Sequence, residues 1–370
     1  MKSFNVLVLP GDGVGPEVMT EALKVMHVIE AKGDVKFNIT QELVGADCFE
    51  KHGVPIRREV LDLAKKSDAV LFGSEGGAPL GQRKINYEGG LLQLRRELDV
   101  YANIRPISFI GKSLYHMSAL PPDKAKGTNF LIVRENTGGA YFGKKVETED
   151  YGEDTWAYSR HEVERVSRVA AALAGLGHTP PLLVTSCDKA NVLASGKLWR
   201  RVVTETFAKE FPEIKLSHQL ADSAAMLMIK DPTRFNGIML TENTIRFGDI
   251  LSDEASGITG SIGLSPSASL SGAPNETGVQ GLYEPIHGTA PDIAGKGVVN
   301  PVGQILAMAM MLRWSFNLKR EADAIEKAVA KVLDSKAEGG LEVRTGDIGG
   351  TAKTSEMGDA ICQVLKGILG

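Results

Sequence analysis

The chain predicts an α/β fold, on three observations. Short apolar runs alternate with longer helical patterns along most of its length, the order expected of strands joined by helical crossovers. The run at residues 69–72 is apolar throughout, as in a strand covered on both faces. No internal repeat or low-complexity tract interrupts the order, and 370 residues exceed one average domain.

The elements follow in sequence. Residues 4–9 form an apolar run that ends in Pro-Gly-Asp-Gly, a strand entering a turn. Pro16 suits the first turn of a helix that reads on to about residue 30. Residues 35–39 read as strand, 57–66 as helix and 69–72 as buried strand. GSEGGAPLG at 73–81 is a loop by composition, and 91–98 is helical. Residues 129–133 are β-prone, and 161–176 form a long helix whose small residues suit close packing. Strands at 182–186, 215–219 and 237–240 alternate with helices at 198–209 and 223–229. Helices at 301–314, 321–333 and 354–369 close the chain. The glycine- and serine-rich passage 257–278 is expected to carry the chain between domains.

Composition narrows the function classes. The chain is 43% hydrophobic and 24% charged, a balance that suits a soluble globular protein with a core large enough to need no staples. Its net charge is −4 and no basic block stands out, so neither nucleic acid nor an anionic membrane is an expected partner. Cys48, Cys187 and Cys362 are few and widely spaced, which argues against a disulfide framework or a cysteine zinc site and for a reducing compartment. No stretch approaches the roughly 20 apolar residues of a membrane helix, and a cytoplasmic location is expected.

Two motifs carry chemistry. In TENTIRFGDILSDEAS, Asp249 and Asp253 are four apart in a helical segment, hence on one face. Carboxylates so held repel unless a cation lies between them, and hard oxygen ligands favour magnesium or manganese. The second motif is the loop Gly11-Asp-Gly-Val-Gly15 after a strand. It lacks GxGxxG spacing and no acidic residue follows in the expected register, so a Rossmann dinucleotide fold is not predicted.

The DILSD segment resembles the metal-binding helix of the β-decarboxylating dehydrogenases, the isocitrate/isopropylmalate dehydrogenase family. GDGVGPEV (11–18), GLLQLRREL (90–98), YANIRP (101–106), VRENTGGAYFG (133–143), DKANVL (188–193), ADSAAM (221–226), GLYEPIHGTAPDIAGKGVVNP (281–301) and RTGDIGG (344–350) fall in that family's order. The fungal 3-isopropylmalate enzymes are the most similar branch. The resemblance implies two α/β domains around a central cleft: an NAD-binding domain of residues 1–105 plus 267–370, and a second domain of residues 106–266 with the dimer contact. It also implies a homodimer with composite sites, acting on a small hydroxy dicarboxylate by oxidative decarboxylation.

Carried over by residue, the resemblance makes Tyr141 and Lys189 catalytic, with Lys189 reaching the partner's site. Asp222, Asp249 and Asp253 hold magnesium or manganese, Asp222 from across the interface, where it also meets substrate. Arg95, Arg105 and Arg134 clamp the substrate, since guanidinium groups hold carboxylates by paired hydrogen bonds. Leu91 and Leu92, with Val192 opposite, present an apolar wall that suits an isopropyl group and rejects a third carboxylate. Glu88 lies between substrate and nicotinamide. Glu284, His287, Gly288, Thr289, Ala290, Asp292, Ile293 and Asn300 line the cofactor site. Asp292 can accept hydrogen bonds from ribose hydroxyls and would repel a phosphate, which favours NAD over NADP.

Four departures from the family pattern bear on substrate. Thr244-Ile245-Arg246 stands where one residue is usual; Asn136-Thr137 is of the isocitrate type; Ala140 replaces a larger residue; and Tyr87 precedes Glu88. They leave open a bulkier 3-substituted malate such as 3-benzylmalate, and an inactive regulatory subunit of the same fold.

Overall fold

The computed structural model of the chain describes residues 1–76, 89–176, 182–242 and 248–370. In order these form β1 (Lys2–Gly11), α1 (Gly15–Lys32), β2 (Val35–Gln41), α2 (Ala46–His52), α3 (Arg58–Lys66), β3 (Ala69–Ser74), α4 (Gly89–Glu97) and β4 (Ala102–Ser108). Then come α5 (Pro122–Ala125), β5 (Asn129–Glu135), the small hairpin β6 (Lys145–Glu147) and β7 (Gly152–Asp154), α6 (Arg160–Gly175), β8 (Leu183–Asp188), α7 (Ala194–Glu210), β9 (Lys215–Leu220), α8 (Ala221–Lys230) and β10 (Gly237–Thr241). The chain closes with α9 (Ile250–Ile258), β11 (Pro266–Leu270), β12 (Gly281–Pro285), α10 (Val302–Trp314), α11 (Lys319–Leu333) and α12 (Thr354–Leu369).

Ten strands make one sheet in the order β2-β1-β3-β12-β11-β4-β5-β10-β8-β9. The four strands at one end are mutually parallel, as are the four at the other. Between them, β11 is antiparallel to both neighbours and β4 is antiparallel to β5, so the two parallel blocks run in opposite directions. That reversal brings together strand ends from both blocks, where an α/β sheet binds ligands.

Helices cover both faces, which accounts for strands without polar alternation. Val6 and Val8 of β1 face the core built by α1, α10, α11 and α12, while Leu7 and Leu9 face a second core under α3 and α4. The same large core continues beneath α6 and α7, and a third packs α8 and α9 against β5 and β10. In α10 every residue except Arg313 is buried, so it is apolar all round rather than amphipathic. A capping box between Ser159 and Glu162 starts α6.

The passage 257–278 is not loop throughout. It contains β11, which is buried throughout at the centre of the sheet. Its small residues look loop-like, but the side-chain amide of Asn103 on β4 donates to Ser267 Oγ at 2.7 Å and Ser269 Oγ at 3.0 Å. The hydroxyls are thereby satisfied inside the core. Helix α2 also carries no periodicity that betrays it. Part of the 73–81 loop, Tyr87, Glu88 and the Thr244–Arg246 change lie outside the described residues. Among the described residues no helix is long and apolar enough to cross a membrane.

The glycine loop after β1 behaves as its spacing predicts. Gly11 and Gly13 have φ of 72° and 60°. A Cβ on Gly13 would lie 2.1 Å from the Thr289 carbonyl oxygen, and the Val14 N–H donates to that oxygen at 2.9 Å. The loop docks on the chain's own 288–298 segment rather than on a phosphate. Glu17, in the first turn of α1, holds the same segment by accepting from Gly295 N–H at 2.6 Å and Gly297 N–H at 2.9 Å. Gly13→Ala is expected to lower stability by about 2–3 kcal/mol, from positive φ and the carbonyl clash together. Urea unfolding of the variant against the parent reads the change.

Candidate active site

A cleft of about 420 Å³ opens where the two blocks of the sheet meet. Helix α4 brings Leu91, Leu92 and Arg95 to it; β4 supplies Arg105, β5 supplies Arg134, the short turn after β5 supplies Tyr141, and Asp249 enters just before α9. The start of α4 is fixed by Glu75, which accepts from Leu91 N–H at 2.8 Å. Leu94 of the same helix and Leu98 just beyond it face the core, whereas Leu91 and Leu92 are half-buried and line the cleft. An apolar wall at this position therefore faces the space a ligand would fill.

Each arginine is matched by a carboxylate. Arg95 meets Glu284 at 2.7 Å. Arg105 donates to Asp253 at 2.8 Å, Ser252 Oγ at 2.7 Å and Asn103 Oδ1 at 3.1 Å. Arg134 donates to Asp249 Oδ1 at 2.6 Å, and the Tyr141 hydroxyl donates to the other oxygen of that carboxylate at 2.9 Å. Burial, with Arg134 nearby in the same sense, pushes the Arg105 guanidinium down to about 10, which leaves it charged at neutral pH. Burial works against the charge on Asp249, but Arg134 and the Tyr141 hydroxyl outweigh it and hold the carboxyl below its ordinary value. Burial, then Asp249, raises the Tyr141 phenol, so it carries its proton through the neutral range.

Asp249 and Asp253 stand one turn apart at the entry of α9, as their spacing predicts. Asp222 is elsewhere: on α8 it meets Lys189 at 2.7 Å, and that contact lowers its carboxyl. Neither Lys189 nor Asp222 lines the cleft of its own chain, and Val192 is 66% exposed. Among the described residues no set of three or more metal-type ligands gathers within one chain. Two hard carboxylates at one helix end suit a divalent cation.

The residues expected around a dinucleotide do converge. Beyond the cleft, a mostly apolar groove of about 390 Å³ is lined by Val14, Ile262, His287, Ala290, Ile293 and Asn300, among others. Glu284 and Gly288 line the cleft itself, and Thr289 holds the glycine loop. Asp292 is exposed next to Ile293. His287 is informative: its Nδ1 is 2.9 Å from the Gly288 carbonyl, so Nδ1 carries the hydrogen and Nε2 is an acceptor. That Nε2 is buried without a partner among the described residues, as expected of a group that receives a donor from a ligand. Gly288 has nothing within 4 Å of a Cβ, leaving its backbone approachable.

Two site residues are missed by sequence reasoning. Asp347 lines the groove and accepts from Ser261 Oγ at 2.5 Å and Asn300 Nδ2 at 3.0 Å. Its RTGDIGG motif is visible in the sequence but offers no clue to its neighbours. Glu75 is hidden in a stretch read only as loop. The departures at Asn136 and Ala140 fall off the cleft wall: Asn136 turns to Ser269 of β11 at 3.3 Å, and Ala140 does not line the cavity.

Fold and cleft together define a family, and comparison with known proteins agrees. The chain belongs to the isocitrate/isopropylmalate dehydrogenase family, which it matches over residues 5–361. Among its relatives, the 3-isopropylmalate dehydrogenase of Hapsidospora chrysogena is 56% identical across 99% of this chain and 98% of its own. That of Saccharomyces cerevisiae is 50% identical across 99% and 98%. Isocitrate dehydrogenase from Methylococcus capsulatus superposes with a TM-score of 0.82 at 30% identity, covering 98% of this chain and 99% of that one. A β-decarboxylating dehydrogenase from Thermococcus kodakarensis gives 0.77 at 34%, covering 98% and 96%.

Burial lowers the His287 pKa, so the folded chain prefers the neutral ring. Its contribution to stability is complete above the unfolded value near 6.5 and is lost as pH falls below it, at up to about 1.4 kcal/mol per unit. His287→Asn should show a shallower loss of unfolding free energy between about pH 6.5 and 5.5 than the parent.

Proposed function

We propose that the chain catalyses the NAD-dependent oxidative decarboxylation of (2R,3S)-3-isopropylmalate to 4-methyl-2-oxopentanoate, a step of leucine biosynthesis. The observation that carries this reading is the pairing, in one cleft, of a three-arginine cradle with a wall made by Leu91 and Leu92. Such a cleft binds two carboxylates and an alkyl group, and it leaves a third carboxylate unpaired beside the leucines. Full-length likeness to relatives named 3-isopropylmalate dehydrogenase supports the same reading. The departures within the described residues lie off this wall, so they give no support to a bulkier substrate.

Arg95, Arg105 and Arg134 hold the substrate carboxylates and orient the hydroxyl-bearing carbon. Residues 287–300, with Asp292 to accept from ribose hydroxyls, would hold NAD, which would supply the hydride acceptor. Asp249 and Asp253, with Asp222 of the partner subunit, would hold magnesium or manganese, which would supply Lewis acidity to the reaction. Lys189 of the partner subunit, once its ammonium has given up a proton, takes the hydroxyl proton at Nζ. After carbon dioxide departs, the Tyr141 hydroxyl hands its proton to the carbon that lost it. Burial has kept that proton in place through the neutral range.

A second copy of the chain is part of this reading. Met226 and Ile229, on the helix that bears Asp222, are 59% and 55% exposed, and Ile250 at the start of α9 is 53% exposed. Apolar side chains so close to the ligands support a homodimer that buries them and carries Lys189, Asp222 and Val192 to the neighbouring cleft. The division into residues 1–105 plus 267–370 and residues 106–266 belongs to the same reading. So does a cytoplasmic setting, supported by three free and buried cysteines.

Purified protein with NAD, magnesium and 3-isopropylmalate should form NADH and release carbon dioxide in equal amounts. A folded dimer that turns over 3-benzylmalate but not 3-isopropylmalate would refute the substrate. Tyr141→Phe should cut kcat by about 100-fold or more with KM changed by no more than about threefold. Asp292→Ser should reduce the preference for NAD over NADP by about tenfold, read as the ratio of kcat/KM values.

A further inference from the structure

Three neighbouring strands of the second block end in a row of buried acids. Thr241 of β10 stands opposite Arg134 of β5 on one side and Cys187 of β8 on the other. The next residue on each strand is Glu242, Glu135 and Asp188, and all three are fully buried. The pleat puts them on the face where Leu240, Val133 and Val184 enter the core beneath α6 and α7. Carboxylates in such a row cannot all be ionised unless each has compensation.

The two outer acids have hydrogen bonds, although burial still raises the Glu135 carboxyl. Glu135 accepts from Thr137 N–H at 3.1 Å and Gly138 N–H at 2.8 Å, with Arg165 of α6 at 3.5 Å. Asp188 accepts twice from Arg200 of α7, both at 2.9 Å, and from Ala190 N–H at 2.9 Å, with His218 of β9 at 3.9 Å. The central acid has almost none. Neither oxygen of Glu242 has a well-formed hydrogen bond among the described residues, and the Trp156 indole gives only slight relief. Burial, then the neighbouring Asp188, pushes its carboxyl up to about 8. Arg134 offers no rescue: it lies one residue back on β5, on the opposite pleat face, and binds Asp249.

The outer acids also brace catalytic turns. Glu135 fixes the Thr137–Gly138 backbone three residues before Tyr141, and Asp188 caps the turn that contains Lys189. We propose that Glu242 is the proton-bearing centre of this row and a positioning residue for the reaction, holding the turns of Tyr141 and Lys189 in register while neutral and spreading them when ionised. The roles of Tyr141 and Lys189 rest on the function proposed above; the protonation of Glu242 does not.

The test uses the whole dimer and E242Q, which keeps shape and cannot ionise. At neutral pH E242Q should keep kcat within about threefold of the parent. Above about pH 8 the parent should lose kcat several-fold while E242Q holds its activity to higher pH. Infrared spectroscopy supplies a readout independent of turnover. The parent should show a protonated-carboxyl stretch that disappears through about pH 8 and is absent from E242Q. If that band is missing from the parent, the proposal fails, and this measurement stands even if E242Q does not fold. A band that E242Q removes without moving the basic limb of kcat would show a buried acid with no positioning role, and would equally overturn it. Absence of isopropylmalate turnover with the band intact would instead indict the proposed reaction.

Discussion

Three arginines facing one small cleft need counter-charge, and much of the architecture follows from where that charge comes from. Arg134 is 3% exposed and Arg105 is 9% exposed, so water cannot screen them. Their carboxylates arrive on other elements: Glu284 at the end of β12 for Arg95, Asp253 in α9 for Arg105, and Asp249 before α9 for Arg134. Each pair therefore ties a substrate-binding element to a different part of the sheet. Because β12 and β5 belong to oppositely directed blocks, this cradle can form only where the polarity reverses, at β11 and β4. The same constraint aims the Asp249 carboxylate at Tyr141, so a guanidinium and a phenol share one carboxylate.

How far the sequence speaks depends on whether a feature is local. The Asp249–Asp253 spacing, Pro16 at the head of α1 and the apolar run of β3 are local, and each is where its pattern indicates. Strand β11 is not local. Its serines read as loop because their partner, Asn103, is far away in the chain, and burial of a hydroxyl is cheap only once that partner is in place. Asp347 and Glu75 are silent for the same reason. Helix periodicity alone allows both core and cleft for the leucine pair; in the fold Leu94 and Leu98 are core, while Leu91 packs against that core and with Leu92 also lines the cleft. The row of Glu135, Glu242 and Asp188 is invisible in sequence, since it exists only after three strands take their register.

The glycine loop shows how a motif can mislead by half. Its position after the first strand matches a dinucleotide turn, yet the close approach that Gly13 permits is taken by the Thr289 carbonyl. Glu17 occupies the N-terminal turn of α1 and binds two backbone N–H groups of the 288–298 segment. A carboxylate there uses the positive end of the helix internally. The segment so held then presents Ala290 and Ile293 to the groove.

The sheet order also has a consequence for how the protein is made. Strand β3 ends at Ser74, but its neighbour β12 begins only at Gly281, and α10, which roofs both, follows at Val302. A chain emerging from the ribosome therefore presents β1, β2 and β3 long before their final partners exist. Strand pairing across so wide a separation is slow, and apolar edges stay open meanwhile. The block of β1, β2 and β3 depends on the last quarter of the chain. Truncation near the carboxyl end should thus damage the earliest-made part of the molecule as much as the part removed, and chaperones would be expected to engage that part during synthesis.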